Sequence, residues 1–325
     1  AEAPITPEII DGFYAMGALS DDKRMLELQS KLNEPSDEPN PKKACRPFGE
    51  NIGMVMGESA QFVVLMDENL ALEIGAEIYA SVQTVASHAD GFKSSISGPG
   101  VGNYITMAKC VAAASQVLGM KSLRNETYVH AHGTGTIANR TSESHILDKI
   151  AKAFGIKSWP VTAIKSYLGH SMATAAGDQL SCVLGTWNKG IVPRIHSIEK
   201  VAEDVFDENL NILIEDKIED INFYKGAFLN AKGFGGNNAS ALIISPEVTK
   251  TIIKKRHSRK EIKAYSRKLE ATRAKTRKYN NSASKGNYRT IYKFDNKVLL
   301  GKNDVEITKD KIKLKGYKKQ INLKP

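Results

Sequence analysis

Tyr128-Val129-His130-Ala131-His132-Gly133-Thr134-Gly135-Thr136 carries an apolar run straight into glycines and small hydroxyl residues, with a histidine at the hinge. The pattern reads as a buried strand that stops where the chain must turn tightly. The same arrangement returns in Val161-Thr162-Ala163-Ile164 followed by Lys165-Ser166-Tyr167-Leu168-Gly169-His170. It returns again in Asn230-Ala231-Lys232-Gly233-Phe234-Gly235-Gly236-Asn237-Asn238, where a glycine loop brackets one aromatic. A lone histidine at a strand end is ordinarily a satisfied core or turn residue. Two of them in matching settings, with a third glycine loop, point instead to one crowded site.

Outward from these loops, strands alternate with helices, which predicts a layered α/β fold. Helical turns are expected around Ile9, Ile10, Phe13 and Met16, then a surface loop over 33–47. An apolar strand follows over 53–66, ending in Phe62-Val63-Val64-Leu65-Met66. A short helix is expected over 68–75 with Gly75 at its end, and a strand over 78–86. Helices are expected over 104–120, 142–154 and 172–187, and strands over 227–231 and 239–244. Beyond Ser245-Pro246 the pattern changes to a basic helix over 248–279. A meander of short strands follows, with runs at 290–294, 297–300, 304–307 and 311–314.

The charge is uneven. Residues 250–325 hold 25 Lys and Arg against 6 Asp and Glu, a net of +19, whereas residues 1–249 carry a net of −9. That break places a domain boundary between 1–249 and a basic α+β appendage, 250–325. No apolar run reaches the 18 or more residues of a membrane-spanning helix. The start, Ala1-Glu2-Ala3-Pro4, has neither the basic nor the apolar region of a signal peptide, and reads as the interior of a longer sequence. Three widely spaced cysteines (Cys45, Cys110, Cys182) fit a reducing, cytoplasmic compartment without a disulfide framework. His130-x-His132 could share a metal on one strand face, but no Cys or carboxylate cluster supplies further ligands. The glycine loop at 233–236 lacks the Lys-Ser or Lys-Thr of a phosphate loop.

In their order and spacing the three segments resemble the β-ketoacyl synthases, the carbon–carbon bond-forming enzymes of the thiolase superfamily. The resemblance covers about residues 1–245. It implies a thiolase-like layered fold, of which this chain would hold the C-terminal half and the end of the N-terminal half. The implied activity is decarboxylative Claisen condensation of an acyl primer with malonyl on an acyl carrier protein. It uses no cofactor and no metal. The implied partners are that carrier and a second ketosynthase-fold subunit, as homodimer or heterodimer.

The resemblance assigns catalytic roles to His132, His170 and Lys165. The two imidazoles would donate N–H to the malonyl thioester oxygen, and Lys165 would tether the second histidine's loop. Phe234 and Gly235 take the gating and oxyanion position, with Thr134, Thr136 and Glu143 in support. Arg46-Pro47-Phe48 with Met56-Gly57-Glu58-Ser59-Ala60 resembles the segment where a buried acid, here Glu58, closes on the site. Three residues depart from the usual pattern: Arg140 stands for an Asp, Gln179 for a Glu and Lys232 for an aromatic. The family's reactive cysteine, flanked by small residues at a strand-to-helix turn, has no counterpart among Cys45, Cys110 and Cys182. The expectation is therefore the C-terminal portion of an atypical condensing enzyme. A second reading is a non-catalytic subunit resembling a chain-length factor. A third, a nucleic-acid binder using the basic tail with Tyr265, Tyr279, Tyr288 and Tyr292, ranks below both, because no recognised binding motif accompanies the charge.

Overall fold

The computed structural model describes residues 2–91, 100–288 and 301–324. It divides into two compact units, Ala1–Leu269 and Glu270–Pro325. In the first, α1 (Pro7–Ala15), α2 (Asp22–Lys31) and α3 (Glu68–Ile74) precede β1 (Ser81–Ala89) and the long α4 (Val101–Asn125). Then come β2 (Thr127–His130), α5 (Ile137–Phe154), β3 (Trp159–Thr162), the single turn α6 (Lys165–Leu168) and α7 (Ala175–Lys189). The sheet is completed by β4 (Leu210–Ile212), β5 (Gly226–Gly233) and β6 (Asn237–Ile244).

These six strands lie in the spatial order β1-β6-β5-β2-β3-β4. The β1/β6 and β6/β5 pairs are antiparallel, and β5/β2, β2/β3 and β3/β4 are parallel. The alternation of strand residues makes the layers. Along β5, Phe228 faces a core built with Met107, Cys110 and Val111 of α4 and Ile146, Leu147 and Ile150 of α5. Its neighbours Ala227 and Leu229 face the opposite core, with Val183 and Trp187 of α7. Burying each such large side chain contributes about 1.5–3 kcal/mol. The result is helix on both faces of one mixed sheet, as the alternating pattern predicts.

The central parallel strands β2 and β3 end on the same side, at Ala131–His132 and Ala163–Lys165. Gly133 has φ +47°, and a side chain there would bring its Cβ within 2.6 Å of Ala163 Cβ. Close approach of the two loops therefore requires glycine.

Several elements differ from expectation. Phe62–Met66 forms no strand; the pairing nearby is two residues long, Ser59–Ala60 on Glu2–Ala3, and Phe62 is 95% exposed. Apolarity alone does not make a strand where no neighbour supplies the ladder. The segment 33–47 is a surface loop only in part, since Cys45 and Arg46 are buried. The basic helix is two, α8 (Pro246–Arg256) and α9 (Arg259–Ala283), broken where His257 turns extended at ψ 151°. The division between units falls beyond the charge boundary, because α8 and the start of α9 are anchored on the first unit. Ile253 is buried, His257 Nε2 meets Glu68 Oε1 at 2.6 Å, and Tyr265 Oη donates to Ala76 O at 2.9 Å.

The second unit carries a three-stranded antiparallel sheet, β7 (Val305–Ile307), β8 (Lys311–Leu314) and β9 (Ile321–Asn322). The expected runs at 290–294 and 297–300 lie outside the described residues.

Candidate active site

His132 leaves β2 into a turn held by one carboxylate. Glu143, fully buried on α5, accepts the backbone N–H of His132 at 2.7 Å and of Gly133 at 2.9 Å. It also accepts Asn230 Nδ2 at 2.6 Å and Asn139 Nδ2 at 3.2 Å. Lys165, at the start of α6 and 2% exposed, donates its ammonium to the His132 carbonyl at 2.5 Å. The histidine's backbone is thus fixed on both its donor and its acceptor side by buried charges.

His170 is set differently. Its N–H donates to Val55 O at 2.6 Å, and its carbonyl accepts from Gly57 at 3.0 Å, so the loop is stitched to the segment after Phe48. Gly169, with φ +73°, permits this: a Cβ there would lie 2.9 Å from Met56 O. The imidazoles of His132 and His170 meet edge to face with centroids 5.2 Å apart.

Backbone donors settle which nitrogen of each ring carries hydrogen. The Met172 N–H donates to His170 Nδ1 at 3.0 Å, and the Lys232 N–H to His132 Nδ1 at 3.3 Å. A nitrogen that accepts cannot also carry the proton in a neutral ring, so both hydrogens reside on Nε2. The rings are neutral. Burial, then the Lys165 charge, pushes His170 down to about 3. Burial, reinforced by Lys165, His170 and Lys232, holds His132 well below its ordinary value. Lys165 itself is lowered by burial to about 8, with Glu143, Cys45 and Asp178 opposing the fall, so it stays charged at neutral pH.

Both histidines line a cavity of about 520 Å³. Its lining mixes apolar Met16, Ala18, Met54, Met172, Ala173 and Phe234 with polar Thr134, Thr136, Asn139, Ser142 and Lys232. Thr134 and Thr136 join hydroxyl to hydroxyl at 3.0 Å. Phe234 is half exposed at the cavity and packs against Phe13 at 5.4 Å, while Gly235 follows with φ +78°. None of the three cysteines lines the cavity. Burial raises Cys45 and Cys110 to about 11 and Cys182 to about 12, which keeps all three as thiols. Among the described residues no group of three or more His, Cys, Asp and Glu could hold a metal ion, and His130 is buried with neither ring nitrogen partnered.

Residues 79–199 match the model of the β-ketoacyl synthase C-terminal domain. Over 321 residues, 99% of this chain and 50% of the relative, the sequence is 46% identical to the β-ketoacyl-[acyl-carrier-protein] synthase FabY of Pseudomonas aeruginosa. The crystal structure of that ketosynthase superposes on the whole chain and half of its own, with a TM-score of 0.90. Residues 79–199 therefore carry the β-ketoacyl synthase C-terminal domain, and the chain around them is similar to these ketosynthases.

A Staphylococcus aureus 3-oxoacyl-[acyl-carrier-protein] synthase 2 is 29% identical over 73% of this chain and 53% of its own length. A type II polyketide ketosynthase, AntDE, shares the fold at a TM-score of 0.60 over 75% of this chain and 54% of its own, with 24% identity. The chain thus spans about half the length of the relatives it matches, and its fold is that of the thiolase-like ketosynthases.

Within that family frame, one expected site residue stands elsewhere. Glu58 is exposed, outside the main cavity, and its carboxylate accepts the Ile5 N–H at 2.6 Å. The buried acid near that segment is Asp178, which accepts Ser59 Oγ at 3.0 Å as well as Ser171 Oγ and Gln61 Nε2. The departures also find physical places. Arg140 is buried against Asp204 at 2.8 Å and Glu50 at 3.3 Å. Gln179 Nε2 donates to Ala131 O at 2.9 Å and Asn230 O at 3.0 Å, tying the ends of β2 and β5 together. Sequence reasoning missed Asn230, Asn139 and Met172. Asn230, buried in mid-strand, had a signal, since such an amide needs partners; the Met172 contribution is a backbone N–H and had none.

Proposed function

We propose that this chain supplies the malonyl-activating machinery of a 3-oxoacyl-[acyl carrier protein] synthase. The observation that carries the reading is the pair of Nε2–H donors on His132 and His170 at one cavity, each ring oriented by a backbone N–H on Nδ1. In the proposed step the bond from the malonyl α-carbon to its carboxylate breaks and CO₂ leaves. The electron pair passes into an enolate, whose oxygen accepts from the two imidazoles. The α-carbon then attacks the carbonyl of an acyl group held as a thioester. The C–S bond breaks, and the thiolate released takes a proton from solvent. Neutral donors suit this charge, because they stabilise the developing enolate without a full cation that would hold the ground-state oxygen equally well.

Lys165 and Glu143 act as positioning residues for His132. Phe234 and Gly235 edge the acyl entrance, and Thr134 and Thr136 offer hydroxyls to the arm that delivers malonyl. The acyl-carrying cysteine lies outside residues 1–325, a reading that the position of Cys45, Cys110 and Cys182 away from the cavity supports. Retention of both donors favours this reading over a subunit that only shapes a partner's pocket. The partner is an acyl carrier protein, a reading supported by the 46% identical relative, a β-ketoacyl-[acyl-carrier-protein] synthase, and the enzyme works with a second ketosynthase-fold subunit.

The test is the full-length protein given an acyl thioester and carrier-linked malonyl. The expected result is a 3-oxoacyl thioester with one CO₂ per turnover. Peptide mapping of the acyl-enzyme is expected to find no acyl group on Cys45, Cys110 or Cys182. Failure to release CO₂ from malonyl in the presence of acyl donor would overturn the reading.

A further inference from the structure

Two residues lining the cavity carry a formal charge, Asp90 and Lys232. Asp90 is committed to the protein: its Oδ1 accepts the Gly102 N–H at 2.9 Å and Asn238 Nδ2 at 2.7 Å. Lys232 contributes through both its backbone and its side chain. Its backbone N–H sets the His132 tautomer, and its ammonium reaches across to Ser142 Oγ on α5 at 3.3 Å. The residue that orients one enolate donor therefore also brings a cation beside Ser142 in the lining of the same cavity. Its charge is felt at the His132 ring. The same cavity is lined by the polar side chains of Thr134, Thr136, Asn139 and Ser142 and by methionine, alanine and phenylalanine. A cavity so lined, with one lysine beside Ser142, suits a ligand with an apolar part and an anionic end.

We infer that Lys232 is a specificity-determining residue whose ammonium binds the free carboxylate of the malonyl thioester, so that the site prefers a carboxylated extender to an uncharged acyl thioester. The inference rests on the condensing reading above and names how that site selects its second substrate. An aromatic at this position would offer no such pairing. The interaction has a definite kinetic character. It exists while the carboxylate is present and vanishes when CO₂ leaves, so it tightens ground-state binding more than it lowers the barrier. A charge-assisted hydrogen bond in a partly buried site changes affinity by about 10- to 100-fold.

The experiment uses the full-length protein and two non-reacting pantetheine analogues in which an amide replaces the thioester, one malonyl and one acetyl. Binding is measured by calorimetry, without turnover. The wild type is expected to bind the malonyl analogue about 10- to 100-fold more tightly than the acetyl analogue. Lys232→Met should abolish the difference, and Lys232→Arg should keep most of it. In turnover, Lys232→Met should raise KM for carrier-linked malonyl more than it lowers kcat. A Lys232→Met protein with unchanged melting temperature and unchanged preference overturns the inference while leaving the condensing reading intact. Equal binding of the two analogues by the wild type overturns it whether or not the variant folds. Binding of neither analogue overturns both readings.

Discussion

The Glu143 carboxylate grips the His132–Gly133 turn with both oxygens, Oε1 on the His132 N–H at 2.7 Å and Oε2 on the Gly133 N–H at 2.9 Å. With the side-chain amides of Asn230 and Asn139, four N–H groups converge on one buried anion. Only a group that accepts on both oxygens satisfies them.

Glu143→Gln keeps the shape and inverts one acceptor into a donor facing N–H groups. Leaving a buried donor unsatisfied costs about 1–3 kcal/mol. The expected outcome is a lowered melting temperature by calorimetry together with slowed decarboxylation, since His132 loses its anchor. An unchanged melting temperature would show that the turn does not depend on the carboxylate.

Replacement of either histidine by alanine removes one preorganised donor. Malonyl decarboxylation and condensation should each fall by about 10²–10³-fold for His132→Ala or His170→Ala. Acyl transfer onto the nucleophile should change little, because that half-reaction needs neither enolate donor. Burst-phase acylation and CO₂ release, followed separately, check this. Wild-type condensation by either variant would remove that histidine from the reaction.

What was legible in the sequence was the strand-to-glycine grammar. Tyr128–His132 and Val161–His170 read correctly because apolar runs ending in glycine have few structural meanings, and close loop packing at Gly133 enforces one of them. Glu143 was legible through resemblance, but its four donors were not, since Asn230 comes from 87 residues away. Glu58 was misplaced because neighbours in sequence do not share burial: Ser59 turns toward Asp178, while Glu58 faces solvent and the Ile5 amide. Phe62–Met66 looked like a strand because composition cannot show whether a ladder partner exists. The hinge at His257 escaped notice since no glycine or proline marks it; a hydrogen bond with Glu68 holds it instead.

If the proposed carrier partner is right, the exposed lysines of α8 and α9 are candidates for docking it. Lys254, Lys255, Lys260 and Lys263 face solvent in a segment whose sequence carries a net of +19. Acyl carrier proteins are acidic, and opposite charge accelerates encounter. Changing these four lysines to glutamate should raise KM for carrier-linked malonyl at low salt without moving the melting temperature. The wild type should converge on the variant as the Debye length shortens from about 10 Å at 0.1 M to about 3 Å at 1 M. Unchanged carrier affinity at low salt would make the basic segment architecture only.

His130 gives a prediction that depends on no substrate. It is fully buried beside Tyr128, ring centroids 5.5 Å apart, and neither ring nitrogen has a hydrogen-bond partner among the described residues. Burial, with a smaller push from Lys165, takes it from 6.5 down to about 3. Above 6.5 the ring is neutral folded or unfolded, and stability does not depend on its titration. Below 6.5 the unfolded chain binds a proton that the folded protein refuses until about 3, so stability falls as the pH drops through that window. The slope is about 1.4 kcal/mol per pH unit for each such group. His170, also near 3, and His132 add in the same sense. His130→Phe removes one titrating group and no hydrogen bond. Urea unfolding from pH 4 to pH 8 should show the variant near wild-type stability above 6.5 and shallower in its acid decline by one proton. An acid limb as steep as the wild type's would mean that His130 takes up its proton in the folded state.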